Sequence, residues 1–132
     1  MPHLTVEYSA NLETDIDIES LLRVLHETAC NIEAFPMPGI RTRAVARKNY
    51  EIADGHSDNG FVSLILRIAP GRPFDVRKAA VETVFAALCN YLEPLYSSKP
   101  LAISFEMQEL DGEFRWKKNN LRDYIAKLTT EH

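Results

Sequence analysis

Cysteine is scarce in this chain. Cys30 and Cys89 are its only two among 132 residues, and neither belongs to a CxxC pair or to the Cys/His spacing of a metal site. The pattern argues against a disulfide framework or a zinc-type centre and leaves two reduced thiols on apolar helical faces. Positive charge is not in surplus either: 15 Lys and Arg stand against 19 Asp and Glu, for a formal net charge of -4. A nucleic-acid binder needs a basic face that displaces counterions, so that class is set aside. No run approaches the ~20 apolar residues of a membrane span. The start of the chain has neither the basic stretch nor the apolar run of a secretory signal, so the expected setting is cytoplasmic, with neither membrane nor nucleic acid as partner.

What is present fits one domain over residues 1–132, with 45% hydrophobic and 26% charged residues. Leu4, Val6 and Tyr8 alternate with His3, Thr5 and Glu7 in a half-buried first strand. Asp15 or Asp17 can cap a helix in which Ile18, Leu21, Leu22, Leu25, Ala29 and Ile32 recur at helical spacing, and Phe35-Pro36-Met37-Pro38-Gly39 forbids its continuation. The arginine-rich run from Ile40 to about Ile52 reads as a second strand, bulged or broken near Lys48-Asn49. Beyond the turns at Asp54-Gly55 and Asp58-Asn59-Gly60, Phe61 to Ala69 reads as a central strand, apolar on both alternating sets over part of its length. Pro70-Gly71-Arg72-Pro73 ends it. A second helix follows on Val76, Ala80, Val84, Ala87, Leu88 and Tyr91, with Pro94 as its expected end. A fourth strand carries Leu101, Ile103, Phe105 and Met107, and Asn120 can cap a short terminal helix with Leu121, Tyr124, Ile125 and Leu128 on one side.

Strand, helix and strand thus occur twice, in halves of about 2–58 and 59–110 followed by a tail, 111–132. Leu4-Thr5-Val6 aligns with Val62-Ser63-Leu64, Cys30 with Cys89, and Gly39-Ile40 with Pro100-Leu101. Each helix must cross one face of the sheet to lay its two strands parallel. The expected fold is α+β, two layers: a doubled βαβ with a four-stranded mixed sheet, two helices on one face and a short C-terminal helix. The other face stays uncovered, and Phe, Leu and Ile on central strands call for oligomerisation.

Pro2 stands out for chemistry. A small second residue lets the initiator methionine be trimmed, which would leave Pro2 with a free secondary amine able to accept and donate a proton. An α-amino group titrates at about 7.7–8.0 and proline's is more basic, so apolar burial or nearby cations must lower it toward working pH. Against this stands the plain alternative of a proline tolerated at a strand start. Arg41, Arg43, Arg47 and Lys48 cluster as a local anion site. Arg41 and Arg43, two apart on a strand, share one face and can fork onto carboxylates. Arg72 lies in a Gly-Arg turn at a helix start, where backbone N–H groups add to its charge. His3 can tune the Pro2 amine or touch substrate. Asp54, His56 and Asp58 lack the closing acidic residue of an EF-hand loop and read as a plain turn, so no metal is expected. Phe35, Phe61 and Trp116 read as core or contact residues that can also wall a cavity.

Pro2 behind the initiator, Phe35-Pro36-x-x-Gly39-Ile40-Arg41-x-Arg43, Ala53-Asp54-Gly55, Gly71-Arg72, Ser104-Phe105-Glu106 and Lys118-Asn119-Asn120 occur in an order that resembles the tautomerase superfamily. Within it, the chain is most similar to the 5-carboxymethyl-2-hydroxymuconate isomerases. The resemblance covers nearly the whole chain and implies a tautomerase-like fold, a homotrimer with sheets packed around a shared axis, and a processed proline acting as base and acid. It further implies no cofactor, a small polycarboxylate substrate from homoprotocatechuate and 4-hydroxyphenylacetate degradation, and a catalytic Arg41 matching the strand-two arginine. Arg72, Arg43 and His3 are then the expected substrate contacts. One departure is that small superfamily members carry an arginine in the turn after the first strand. Here that turn reads Ser9-Ala10-Asn11, so Arg72 has to approach Pro2 through the pseudo-symmetry or from a neighbouring subunit. Alternative readings are a tautomerase-fold enzyme acting on another unsaturated acid and a non-catalytic oligomeric binding module.

Overall fold

Leu4, Val6 and Tyr8 are buried while His3, Thr5 and Glu7 are not, so the period-two pattern of the first strand, β1 (His3–Ser9), is that of a sheet covered on one side. The structure, a computed structural model, describes residues 1–131, with side chains as far as Thr129. The further elements are α1 (Ile18–Cys30), β2 (Arg41–Arg47), β3 (Gly60–Ile68), α2 (Phe74–Tyr96), β4 (Leu101–Glu109) and α3 (Leu121–Glu131). The sheet order is β2-β1-β3-β4. β1 and β2 run parallel, as do β3 and β4, and the two halves meet antiparallel along β1 and β3.

Cross-strand partners share a face, and the register sets Leu4 beside Thr42 and Leu66, and Leu66 beside Met107. That set lies under α1 and α2, where Leu21, Leu25, Val84 and Leu88 close a core with no exposed surface. Phe85 of α2 meets Phe105 of β4 edge-on at 5.9 Å, and His26 Nδ1 of α1 lies 2.8 Å from the Thr42 hydroxyl. The opposite face is more polar than the sequence implied. Leu64 and Leu66 point at the helices, leaving chiefly Phe61, Ile65 and Val45 as apolar groups among Thr5, Glu7, Ser63, Ser104 and Glu106.

Three boundaries differ from expectation. α1, capped by the Asp17 carboxylate accepting from the Ser20 N–H at 3.2 Å, stops at Cys30, so Ile32 lies in the following turn and the prolines are not needed to end it. β2 ends at Arg47, at the break expected near Lys48-Asn49, and does not resume toward Ile52; the chain from Asp54 to Asn59 is folded on its own side chains. Asp54 accepts from the His56 N–H and from Asn59 Nδ2, and His56 Nδ1 accepts from the Asp58 N–H. α2 continues through Pro94 to Tyr96. Pro94 withholds the N–H that would reach the preceding turn and crowds its carbonyl, yet Ser97 still donates to the Glu93 carbonyl at 2.9 Å and closes the last turn.

This topology brings distant segments to one end of the sheet. β1 starts there, β2 starts there in parallel, and β3 and β4 both finish there. Residues 110–120 leave β4 and pass over the same end, held by Leu110 donating to the Ile68 carbonyl at 2.7 Å.

Candidate active site

Pro2 is buried at the start of β1, and its carbonyl accepts from the Arg41 N–H at 3.0 Å. Parallel pairing therefore fixes Arg41 beside Pro2 as a matter of register. The Arg41 guanidinium turns the same way: Nη1 lies 3.6 Å from the Met1 sulfur. Met1 also packs on Gly39, where an added Cβ would meet the Met1 Cα at 3.5 Å.

Two cavities flank Met1. One, of about 260 Å³, is lined by Met1, His3, Arg41, Arg115, Trp116 and Lys117 among others. The second, of about 280 Å³, is lined by Met1, Pro36, Pro38, Lys117, Asn119 and Arg122 among others. Each alone falls just short of the ~300–1,000 Å³ of an ordinary small-molecule site. The tail forms much of both walls. Asn119 fastens it, donating to the Pro38 carbonyl at 3.2 Å while its own oxygen accepts from the Leu121 N–H at 2.8 Å and opens α3.

The electrostatics of this end are strongly cationic. The Met1 amine is held below its ordinary range, first by burial and then by Lys117, Arg72, Arg115 and Arg41. His3 is likewise depressed, first by burial and then by Arg43, Arg41, Arg67 and the amine. Arg43 Nη1 lies 3.2 Å from His3 Nδ1, and since guanidinium can only donate, Nδ1 accepts and the ring is neutral.

Pro2, Arg41 and His3 are thus brought together. Arg43 joins them through His3. Arg72 is placed differently: Nε and Nη2 donate to the Ala34 carbonyl at 3.2 and 2.8 Å, Nη1 to the Ala69 carbonyl at 3.1 Å, and the guanidinium lies 5.7 Å from the Phe35 ring centre. It clamps two loops and acts on the amine by charge at a distance. Its turn reaches this end through the antiparallel β1–β3 pairing, within one chain. Phe35 is core, Phe61 is half-buried on the open face, and Trp116 stands 83% exposed at the lip of the first cavity.

Sequence reasoning passed over Arg115, Lys117 and Arg122 as site residues. The signal was there: Arg115-Trp116-Lys117-Lys118 is a dense basic run in an acidic chain, and its meaning depends on where the tail folds.

The sequence matches the 5-carboxymethyl-2-hydroxymuconate isomerase family over residues 2–125. The chain belongs to that family. It is 34% identical over 121 residues to the Escherichia coli 5-carboxymethyl-2-hydroxymuconate Delta-isomerase, covering 92% of this chain and 96% of that one. A crystal structure of a 5-carboxymethyl-2-hydroxymuconate isomerase from Deinococcus radiodurans R1 superposes with a TM-score of 0.87 at 34% identity, covering 94% of this chain and 93% of the other. Another, of a 5-carboxymethyl-2-hydroxymuconate delta-isomerase, gives 0.87 at 31% identity, covering 95% and 93%. As a 5-carboxymethyl-2-hydroxymuconate isomerase family member the chain is an isomerase, and its doubled βαβ layer is the tautomerase-like α+β fold. The matched span, residues 2–125, contains Pro2, Arg41 and the tail residues that line the two cavities.

Proposed function

We propose that this chain isomerises 5-carboxymethyl-2-hydroxymuconate, with the amine of Pro2, freed by loss of Met1, as the proton carrier. The amine takes the proton from the 2-hydroxyl, the conjugated electrons shift, and the same proton is returned at C5, giving the unsaturated 2-ketone. Nothing is oxidised or reduced, and the proton that leaves oxygen reappears on carbon, so the chemistry balances within the substrate without a cofactor.

The observation that carries this reading is the aim of Arg41. Its backbone binds the Pro2 carbonyl and its guanidinium points at Met1, the residue that would depart. Without Met1 the two cavities on either side of it become one chamber of ordinary ligand size, with the proline nitrogen at its wall. Arg41 then binds a carboxylate and stabilises negative charge as it builds on the dienolate. The cations that lower the Met1 amine surround this position and favour a free base at neutral pH. His3 and Arg43 extend the cationic wall, and Arg72 contributes charge from behind it. The same reading includes a homotrimer, which would cover Phe61, Ile65 and Val45 on the open face, a cytoplasmic setting, and a place in homoprotocatechuate and 4-hydroxyphenylacetate breakdown.

The test is Pro2→Ala, with removal of the methionine verified by intact mass. A primary amine in the same place is a poorer fit to the task, and kcat is expected to fall by about 10²-fold or more. An unchanged kcat would remove Pro2 from the chemistry.

A further inference from the structure

Among the described residues, Lys117 is the only one besides Met1 that lines both cavities. Once Met1 is absent it lines both parts of the opened space, one shared with Arg41 and the other with Arg122. The walls of the two cavities hold five Lys and Arg side chains, Arg41, Arg115, Lys117, Lys118 and Arg122, and no carboxylate. Among the described residues the ion pairs are Arg47 with Glu7, Lys78 with Glu82 and Lys99 with Asp15, so none of these five is in an ion pair, although Arg115 donates to the Asp111 carbonyl and its charge acts on the Asp111 carboxylate. In a chain of net charge -4, that concentration creates a local field suited to a ligand with several negative charges. One carboxylate is satisfied by the Arg41 fork, which leaves the tail cations for others.

We infer that Lys117, carried over the site by the segment after β4, anchors a second carboxylate of the substrate and so selects polycarboxylates over monocarboxylates. This deepens the proposed isomerase reading and rests on it for the identity of the reacting group. The tail is suited to the role because it is fastened on both sides of Lys117, by Leu110 to the Ile68 carbonyl and by Asn119 to the Pro38 carbonyl. The ammonium is thereby held over the chamber by the backbone, while its flexible stem lets it follow the ligand.

Trp116 is the only tryptophan in the chain and lines the first cavity, so its fluorescence reports occupancy without turnover. In protein lacking Met1, propane-1,2,3-tricarboxylate is titrated against the native chain, Lys117→Gln and Lys117→Arg. In parallel, kcat and KM are measured on the alkaline plateau of the pH profile for 5-carboxymethyl-2-hydroxymuconate and for the monocarboxylate phenylenolpyruvate. Lys117→Gln is expected to weaken tricarboxylate binding and raise KM for the tricarboxylate substrate by about tenfold or more, with kcat little changed, and Lys117→Arg to recover most of the loss. Phenylenolpyruvate kcat/KM should stay within about twofold. Equal losses on both substrates, or no change in tricarboxylate affinity, would overturn the inference. Lys117-dependent binding in a protein that turns over neither substrate would sink the proline reading and leave the carboxylate subsite standing. Proline-dependent turnover indifferent to Lys117 would do the reverse.

Discussion

His3 follows Pro2 in the chain and pairs with Arg41 in the sheet, with the Arg43 guanidinium on its ring, and its charge state follows from that position. Burial and the guanidinium groups of Arg43, Arg41 and Arg67 depress its pKa, so the folded chain resists a proton that the unfolded chain accepts below about 6.5. Between that pH and the lower folded-state value the unfolded state binds more protons, and stability falls as pH falls; below the folded-state value this contribution levels off. Thermal midpoints measured across that window should decline with acidification. His3→Gln keeps an acceptor for Arg43 but cannot titrate, and should flatten the decline. Identical slopes for the two proteins would mean that His3 is not the group responsible. At the same scale, the motif around Gly39-Ile40-Arg41 drew attention to Arg41, and the parallel pairing of β1 with β2 sets it beside Pro2. Arg72 was legible as an arginine near the proline's end, but not as a loop clamp, since its partners are the carbonyls of Ala34 and Ala69, which no side-chain pattern advertises.

At the scale of elements, the joint between the halves depends on Gly60. It opens β3, and a Cβ there would come within 2.7 Å of Leu12 Cδ2, a fully buried side chain with little room to retreat. Gly60→Ala is therefore expected to destabilise the chain by about 1–3 kcal/mol, read from the midpoint of urea denaturation. A midpoint unchanged or raised would show that Leu12 repacks freely. Seven elements were legible in order and type because their apolar spacing is regular. What misled at the boundaries was competition from local chemistry. The bend at Lys48-Asn49 takes the chain out of β2 and the segment to Ile52 does not rejoin it, while α2 carries Pro94 in its last turn and runs on to Tyr96. The alternation of Phe61–Ala69 was read as apolar on both sides over part of its length, whereas the open side alternates Phe61, Ser63, Ile65 and Arg67.

For the whole molecule, the decisive fact is convergence: four strand ends and one tail meet at Pro2 although they are far apart in sequence. The strands' part in this follows from the doubled βαβ plan and was foreseeable. The tail's part was not, because residues 110–120 have no period of their own and are held by single hydrogen bonds to Ile68 and Pro38. Met1 stands at the centre of that convergence, attached to the nitrogen proposed to do the chemistry and filling the space between two half-sized cavities. The most direct measurement is the turnover of 5-carboxymethyl-2-hydroxymuconate by the same chain prepared with Met1 retained and with Met1 removed, both verified by intact mass. Retention converts the Pro2 nitrogen to an amide with no basic lone pair, and kcat/KM is expected to be about 10²-fold lower or less than measurable. Equal kcat/KM in the two forms would contradict the account.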